Sequence, residues 1–230
     1  MAYFQYLLEK IISSKIETYP FKYLCLDGFL KPKDYRLLIK EIPLDKKWNH
    51  VKNKKTIRRK SWQTQTYTIN HKKFRLMNEF SCMIESREFS DALFKLFNIN
   101  NKYPNGSFKT AWCRDYDGFA ISPHQDQNDK ILSCLFYLAR NNQTPENGTQ
   151  ICTSLKKFKK TNKHLRWLDF KKIKDIEYIK NRFVCWGVNS KSFHAVDIKI
   201  DLDSKYPFRD TVRGFYFKDK KKLPQLYSRY

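Results

Sequence analysis

Residues 122–126, and the apolar run that follows over residues 131–138, constrain this chain more than any other segment. The first segment places an imidazole and a carboxylate, His124 and Asp126, two residues apart, and side chains with that spacing share one face of an extended chain. The apolar run is rich in leucine and aromatic residues, which predicts a buried strand. We therefore expect a strand end from which both side chains point toward one ion.

A third candidate ligand, His194, follows a predicted buried strand and turn at residues 181–186. Two histidines and one carboxylate form the facial ligand set of non-haem Fe(II) sites, which leaves three coordination positions open. A His-x-Asp pair alone is common by chance, so the competing interpretation is a loop histidine beside a solvated aspartate. The predicted strands around the pair favour the metal site.

Residues 207–217 predict a further strand, on which Arg209, Thr211 and Arg213 alternate onto one face. The chain thus carries, in order, a His-x-Asp pair, a tyrosine, a glycine turn, a histidine and an Arg-x-Thr pair. In this order it resembles the Fe(II)/2-oxoglutarate-dependent dioxygenases, in particular their prolyl-hydroxylase-like branch. The resemblance covers roughly residues 20–218.

The resemblance implies that His124, Asp126 and His194 are both the metal ligands and the catalytic centre. The implied cofactors are Fe(II), 2-oxoglutarate as cosubstrate and O2, with ascorbate as an optional reductant. The implied fold is α+β with a mainly β core, a double-stranded β-helix of the jelly-roll or cupin type flanked by N-terminal helices. We expect one domain over residues 1–230, with a basic insertion at about 152–180.

The far carboxylate of 2-oxoglutarate needs a fixed cation, and the planar fork of arginine matches a carboxylate best. In the family a hydroxyl two residues after the arginine shares the carboxylate, which implies Arg209 with Thr211. Arg213 stays the alternative anchor, because the gap from the second histidine to Arg209 is longer than usual, and Lys199 is a third candidate. Tyr137 resembles a tyrosine that binds the same carboxylate, and Tyr116 resembles another cosubstrate-side tyrosine. For both tyrosines, packing in the core is the competing interpretation.

The resemblance implies a dioxygenase that hydroxylates a C–H bond of a protein side chain, an amino acid or a small metabolite. A second hypothesis is an AlkB-like oxidative demethylase or hydroxylase of nucleic acid, since that branch carries two arginines that Arg209 and Arg213 echo at a different spacing. A third hypothesis is a non-catalytic binding or sensor domain of the cupin type. The intact ligand set and the candidate arginine argue against the third.

The net charge of +23, from 46 basic and 23 acidic residues, makes nucleic acid a further candidate partner. Basic residues are frequent at 45–60 and 156–174, and Trp48, Trp62 and Trp167 are the candidates for stacking on bases. The excess is mostly lysine, however, and a general compositional bias explains it as well. Neither basic segment contains a recognised nucleic-acid motif.

The six cysteines are scattered without a Cys-x-x-Cys pair, which is typical of free thiols in a reducing compartment. No signal peptide and no apolar stretch long enough to cross a membrane is found in the sequence. These features predict a cytoplasmic protein without a membrane partner.

Local patterns predict several further elements. They are a short helix at 3–12, a strand at 21–26, a helix at 32–41, two helices over 74–97 separated at Ser90 and Asp91, a strand at 108–116, a turn at Asp117 and Gly118, and a hairpin-like connection at 141–149.

Overall fold

Two antiparallel β-sheets and four α-helices make up the part of the chain that this computed structural model describes. The described residues are 2–44, 49–50, 64–67, 73–100, 103–141, 144–158 and 166–219. The mainly β architecture predicted from the sequence is therefore confirmed. Trp48, Trp62 and most of the basic segment 45–60 lie outside the described residues.

The larger sheet has seven strands in the order β1-β9-β6-β11-β4-β3-β2. Their bounds are β1 Tyr23–Leu26, β2 Asn49–His50, β3 Thr64–Tyr67, β4 Ser107–Asp115, β6 Lys130–Tyr137, β9 Arg182–Gly187 and β11 Arg209–Phe217. The central strand β11 is paired along its length with β4 on one side and β6 on the other. Because β11 is hydrogen-bonded along both edges, the register fixes which residues of β4 and β6 lie beside each of its side chains.

The smaller sheet has four strands in the order β5-β10-β7-β8. Their bounds are β5 Ala120–His124, β7 Thr149–Ser154, β8 Phe170–Ile176 and β10 Phe193–Asp197. Consecutive strands alternate between the two sheets from β4 to β7, so the chain crosses repeatedly from one sheet to the other. The prediction of a hairpin-like connection at 141–149 is therefore wrong, because this segment leads from the larger sheet into the smaller one.

The four helices cover the outer face of the larger sheet, and their bounds are α1 Ala2–Ile12, α2 Pro32–Glu41, α3 Arg75–Ile84 and α4 Arg87–Phe97. The predicted helix at 32–41 and the N-terminal helix are confirmed. The predicted break at Ser90 is wrong. Ser86 caps α4 by accepting a hydrogen bond from the Phe89 amide, whereas the Ser90 hydroxyl donates back to the Arg87 carbonyl within the helix.

Two buried clusters lie on opposite faces of the larger sheet, because strand side chains alternate in direction. The outer cluster joins Phe136 and Val212 to residues of the helices such as Phe80. The inner cluster contains Tyr137 and Trp186 from the larger sheet and Ile151 from the smaller one. The space between the sheets therefore receives the side chains of both, and it is there that Arg209 and Thr211 are buried.

The predicted basic insertion at 152–180 begins in β7 and includes all of β8, which pairs with β7 as the edge strand of the smaller sheet. Only residues 155–169 connect the two strands. The strand was missed because its lysines point to solvent along an edge and hide the apolar alternation. Four of the six free cysteines are buried, while Cys82 is exposed and Cys25 is half-buried.

No helix within the described ranges is both long enough and apolar enough to cross a membrane.

Candidate metal and carboxylate sites

The ends of β5 and β10 bring His124, Asp126 and His194 together. The two strands are antiparallel neighbours with His124 directly opposite His194, and the ring centres are 4.3 Å apart. Asp126 follows the end of β5, and its Oδ2 lies 3.6 Å from Nε2 of His194. The fold thus places the three residues side by side, although 70 residues of chain separate the two histidines.

Both histidines are oriented by the same local contact. Nδ1 of His124 lies 3.0 Å from the Ser122 carbonyl, and Nδ1 of His194 lies 3.1 Å from the Ser192 carbonyl. A carbonyl only accepts, so each Nδ1 carries the proton and each Nε2 keeps a lone pair. Metal-binding histidines are commonly held in this way. The repeated Ser-x-His spacing was visible in the sequence, but its meaning depends on the backbone conformation.

Asp126 is buried and is held by three donors from the larger sheet. Lys130 Nζ lies 3.0 Å from Oδ1, while Oδ2 accepts from the Ser133 hydroxyl at 2.7 Å and from the Trp186 indole at 3.1 Å. Burial raises the pKa of Asp126, but the charges of Lys130 and the histidines together with the Ser133 hydrogen bond outweigh it, so the pKa is well below its ordinary value. The carboxylate therefore stays ionised, as a metal ligand must.

His194 is buried as well, and burial lowers its pKa below the ordinary value against the opposing effect of Asp126. The neutral imidazole is the form that binds a metal. Among the residues that the structure describes, no three or more His, Cys, Asp or Glu side chains are arranged so that they could hold a metal ion as they stand. The donor types, the orientation of both Nδ1 atoms and the ionised carboxylate nevertheless fit an Fe(II) ion.

A second polar group lies between the sheets, at the start of β11. Arg209 and Arg213 both point inward and share one buried carboxylate, Asp115 of β4. Asp115 Oδ2 accepts from Arg209 Nη1 at 2.8 Å, and its Oδ1 accepts from Arg213 Nη2 at 2.5 Å. Arg209 is opposite Asp115 in the strand register, so the ion pair follows from the pairing of β4 with β11. The sequence analysis did not identify Asp115.

Two buried donors in this group have no hydrogen-bond partner among the residues that the structure describes. They are Nε of Arg209 and the hydroxyl of Thr211, two residues apart on the same face of β11. An unpaired buried polar atom costs about 1–3 kcal/mol, so a native pair of this kind calls for an explanation. A bound carboxylate satisfies both donors, since it accepts several hydrogen bonds at once.

Tyr137 is fully buried beside this pair of donors. It is opposite Thr211 in the register of β6 and β11, and its ring lies 5.4 Å from the Arg209 guanidinium carbon. Its hydroxyl is 2.6 Å from the hydroxyl of Thr149, and burial raises its pKa against the opposing charge of Arg209. Tyr178 contributes a second ring, 5.6 Å from the same guanidinium carbon. Sequence reasoning missed Tyr178, which lies in the loop before β9.

Tyr116, the other predicted cosubstrate tyrosine, lies elsewhere. It directly follows Asp115 at the end of β4, so its side chain points away from the space between the sheets, toward Arg114. Arg114 forms a bidentate ion pair with Asp210 on that outer face, with both contacts at 2.7 Å. Of the five residues predicted to bind the cosubstrate, the structure brings together Arg209, Thr211, Arg213 and Tyr137, but not Tyr116.

No protein-family model and no curated protein sequence matches this chain. Solved structures do. A prolyl-4-hydroxylase from Pseudomonas putida is similar with a TM-score of 0.56 and 13% identity over 93% of this chain and 98% of its own. A 2OG-Fe(II) oxygenase family oxidoreductase from Burkholderia pseudomallei has a TM-score of 0.50 and 9% identity, over 92% of this chain and 90% of its own.

A third structure, the non-haem alpha-ketoglutarate-dependent epimerase SnoN from nogalamycin biosynthesis, is similar with a TM-score of 0.50 and 9% identity, over 98% of this chain and 86% of its own. At such identities the similarity establishes a common fold. The resemblance to 2-oxoglutarate/Fe(II) oxygenases that the sequence motifs predicted is thus confirmed at the level of the fold.

Proposed function

We propose that this protein is an Fe(II)- and 2-oxoglutarate-dependent dioxygenase, built as one domain whose two sheets form a double-stranded β-helix. One observation carries the proposal. In a fold shared with 2-oxoglutarate/Fe(II) oxygenases, two histidines and a carboxylate accompany a buried arginine Nε and a buried hydroxyl that have no partner among the described residues. The similar structures are oxygenases, which does not favour the alternative of a non-catalytic binding or sensor domain.

His124, Asp126 and His194 would hold the metal, the histidines through Nε2. Fe(II), when bound there, supplies the activation of O2 that is coupled to conversion of 2-oxoglutarate into succinate and CO2. The protein contributes the arrangement of ligands. Ser133 and Trp186 fix the Asp126 carboxylate, and groups that orient a ligand in this way typically raise metal affinity by about 10–100-fold.

Arg209 and Thr211 would bind the far carboxylate of 2-oxoglutarate through the donors that lack a partner, with Tyr137 beside them. The contact is charge-assisted and buried, which makes it stronger than an ordinary hydrogen bond. Arg209 is favoured over Arg213 because its Nε is a buried donor without a partner in the described part of the chain.

The favoured substrate is a protein side chain, an amino acid or a small metabolite. The enzyme would hydroxylate one of its C–H bonds. Nucleic acid stays a proposed alternative partner because of the net charge. Lys171, Lys172 and Lys174 are exposed on β8 and give that edge of the smaller sheet a positive surface. Weak, sequence-independent binding that falls steeply with salt and is not coupled to succinate release would identify this surface as merely basic.

The test combines metal binding with turnover. His124→Ala, Asp126→Ala and His194→Ala should each abolish Fe(II) binding in an anaerobic titration and succinate release with pooled substrates, because each removes one of three ligands. Asp197→Ala is the matched control, since Asp197 is a half-exposed carboxylate on the same strand as His194. Near-normal metal binding by any of the three variants would show that the residue is not a ligand.

A further inference from the structure

The inner ends of β4 and β11 hold two guanidinium groups and one carboxylate in a buried space. Asp115 is fully buried, Arg209 is buried to nearly the same degree, and Arg213 has 17% of its side chain exposed. Each carboxylate oxygen binds a different arginine, so Asp115 is a bridge between them. Two like charges this close repel strongly in a medium of low dielectric constant, and the bridge offsets that repulsion.

We infer that Asp115 is a positioning residue of the cosubstrate site, which orients Arg209 to receive a carboxylate and holds Arg213 away from that role. The inference rests on the proposed function and concerns the same site. It assigns a role to a residue that no sequence motif marked. It also decides between the two arginines on geometric grounds.

The orientation of Arg209 follows from its contacts. Asp115 takes Nη1, and the rings of Tyr137 and Tyr178 lie within 5.4 and 5.6 Å of the guanidinium carbon. The guanidinium is thereby held on the face of β11 that also carries Thr211, and its Nε is a buried donor without a partner among the described residues. A guanidinium that is already fixed loses less conformational entropy when a carboxylate binds.

Arg213 is held differently. It donates Nη2 to Asp115 and lies 5.2 Å from the ring of Phe119, at the end of the loop between β4 and β5. In the strand register it is opposite Ala111 and Leu135, four residues along β11 from Arg209. Its charge is thus directed onto the bridge, and the hydroxyl needed for an Arg-x-Thr pair is matched to Arg209 alone.

The charge of the group also matches the ligand. Two arginines and one aspartate leave one net positive charge between the sheets, which balances one incoming carboxylate. If Asp115 were neutral, the second positive charge would push Arg209 out of its fixed orientation. We therefore expect loss of the bridge to weaken cosubstrate binding, even though it makes the pocket more positive.

The experiment compares Asp115→Asn with Asp210→Asn, the same change in the ion pair on the opposite face of the same two strands. Both proteins are loaded with Mn(II) and titrated with 2-oxoglutarate by calorimetry, and separate Fe(II)-loaded samples are assayed for succinate release. Asp115→Asn should raise the Kd and the KM for 2-oxoglutarate about 10–100-fold, with kcat at saturation within about threefold and Mn(II) affinity unchanged. Asp210→Asn should lower stability while the Kd of the folded protein stays within about twofold.

If Asp115→Asn does not fold, Arg213→Gln tests the bridge from its other, less buried end. It should raise the KM for 2-oxoglutarate about threefold without changing kcat. Asp115 would then be paired with Arg209 alone, and the group would lose its net positive charge. The inference would be overturned if Asp115→Asn bound 2-oxoglutarate as tightly as wild type. If only Arg213→Gln folds, wild-type 2-oxoglutarate binding by that variant would overturn it. Either result would leave the proposed function intact. Failure of the wild-type protein to bind 2-oxoglutarate would overturn both.

Discussion

The two faces of the β4–β11 strand pair carry the same kinds of residue in exchanged positions. On the inner face Arg209 of β11 binds Asp115 of β4, and on the outer face Arg114 of β4 binds Asp210 of β11. Both pairs are buried, and both follow from one register, in which residue 209 is opposite 115 and residue 210 is opposite 114. Their remaining donors, however, are used in different ways.

The outer pair is closed. Arg114 binds both oxygens of Asp210, donates to the carbonyls of Pro43 and Leu44, and lies 3.6 Å from the ring of Phe208. The inner pair is open, because within the described ranges neither Arg209 Nε nor the hydroxyl of Thr211, two residues along β11, has a hydrogen-bond partner. A closed ion pair stabilises the fold, whereas an open one retains binding capacity for a ligand. Under the proposed function, Arg114 therefore stabilises the fold and Arg209 binds a ligand.

The largest expected effect is on the closed pair. Asp210→Ala leaves Arg114 buried without its carboxylate and should reduce the free energy of unfolding by about 3–5 kcal/mol. Urea denaturation measures the loss. Asp175→Ala is the control, since the Lys172–Asp175 pair is half-exposed on both sides and should change stability by less than about 1 kcal/mol. Equal losses in the two variants would contradict the structural role of the outer pair.

The next effect concerns the choice of arginine in the open pair. Arg209→Ala should raise the 2-oxoglutarate requirement by about 10–150-fold, which corresponds to about 1.5–3 kcal/mol for a charge-assisted contact. Fe(II) affinity should stay near that of the wild type, because the metal ligands lie on other strands. Arg213→Ala should raise the requirement only a few-fold. If the two results were reversed, the anchor would be Arg213.

The smallest effect is expected for Thr211, whose hydroxyl should lower the stability of the free protein but strengthen 2-oxoglutarate binding. Thr211→Val removes a buried hydroxyl that has no partner among the described residues, so the free protein should be as stable as wild type or slightly more stable. The same change should weaken 2-oxoglutarate binding by about two- to tenfold, from the loss of about 0.5–1.5 kcal/mol. Thermal melts with and without 2-oxoglutarate measure both effects.

Thr149→Val is the matched control for this prediction. The Thr149 hydroxyl is paired with Tyr137, so its removal leaves the tyrosine hydroxyl without that partner and should cost about 1–3 kcal/mol of stability. A stability loss in Thr211→Val as large as in Thr149→Val would mean that the Thr211 hydroxyl has a partner in the protein.

Much of the secondary structure could be predicted because its signals are local. Pro32 at the start of α2 and the alternation of Arg209, Thr211 and Arg213 on β11 depend only on neighbouring residues. The predictions that failed concerned element boundaries, where the local sequence allows two positions and tertiary packing selects one. Ser86 and Ser90 are both credible helix caps, and only the position of α3 selects Ser86.

The candidate site divides in the same way. The types and order of His124, Asp126 and His194 indicated a metal site, and their assignment as ligands stays a prediction. The contacts that orient them did not follow from any motif. Trp186 reaches Asp126 across 60 residues of chain, and Lys130 and Ser133 reach it from the neighbouring strand of the larger sheet.

The sequence alone determined which chemical groups the chain carries and the local direction of each, because periodicity of two or 3.6 residues sets the face on which a side chain lies. The tertiary structure alone decided which acidic and basic side chains form ion pairs. Asp115 and Arg209 are 94 residues apart, and a shift of one residue in the register of β4 and β11 would exchange the inner and outer faces. Strand register is fixed by the packing of the whole sheet, so the open and closed ion pairs became distinguishable only in the folded protein.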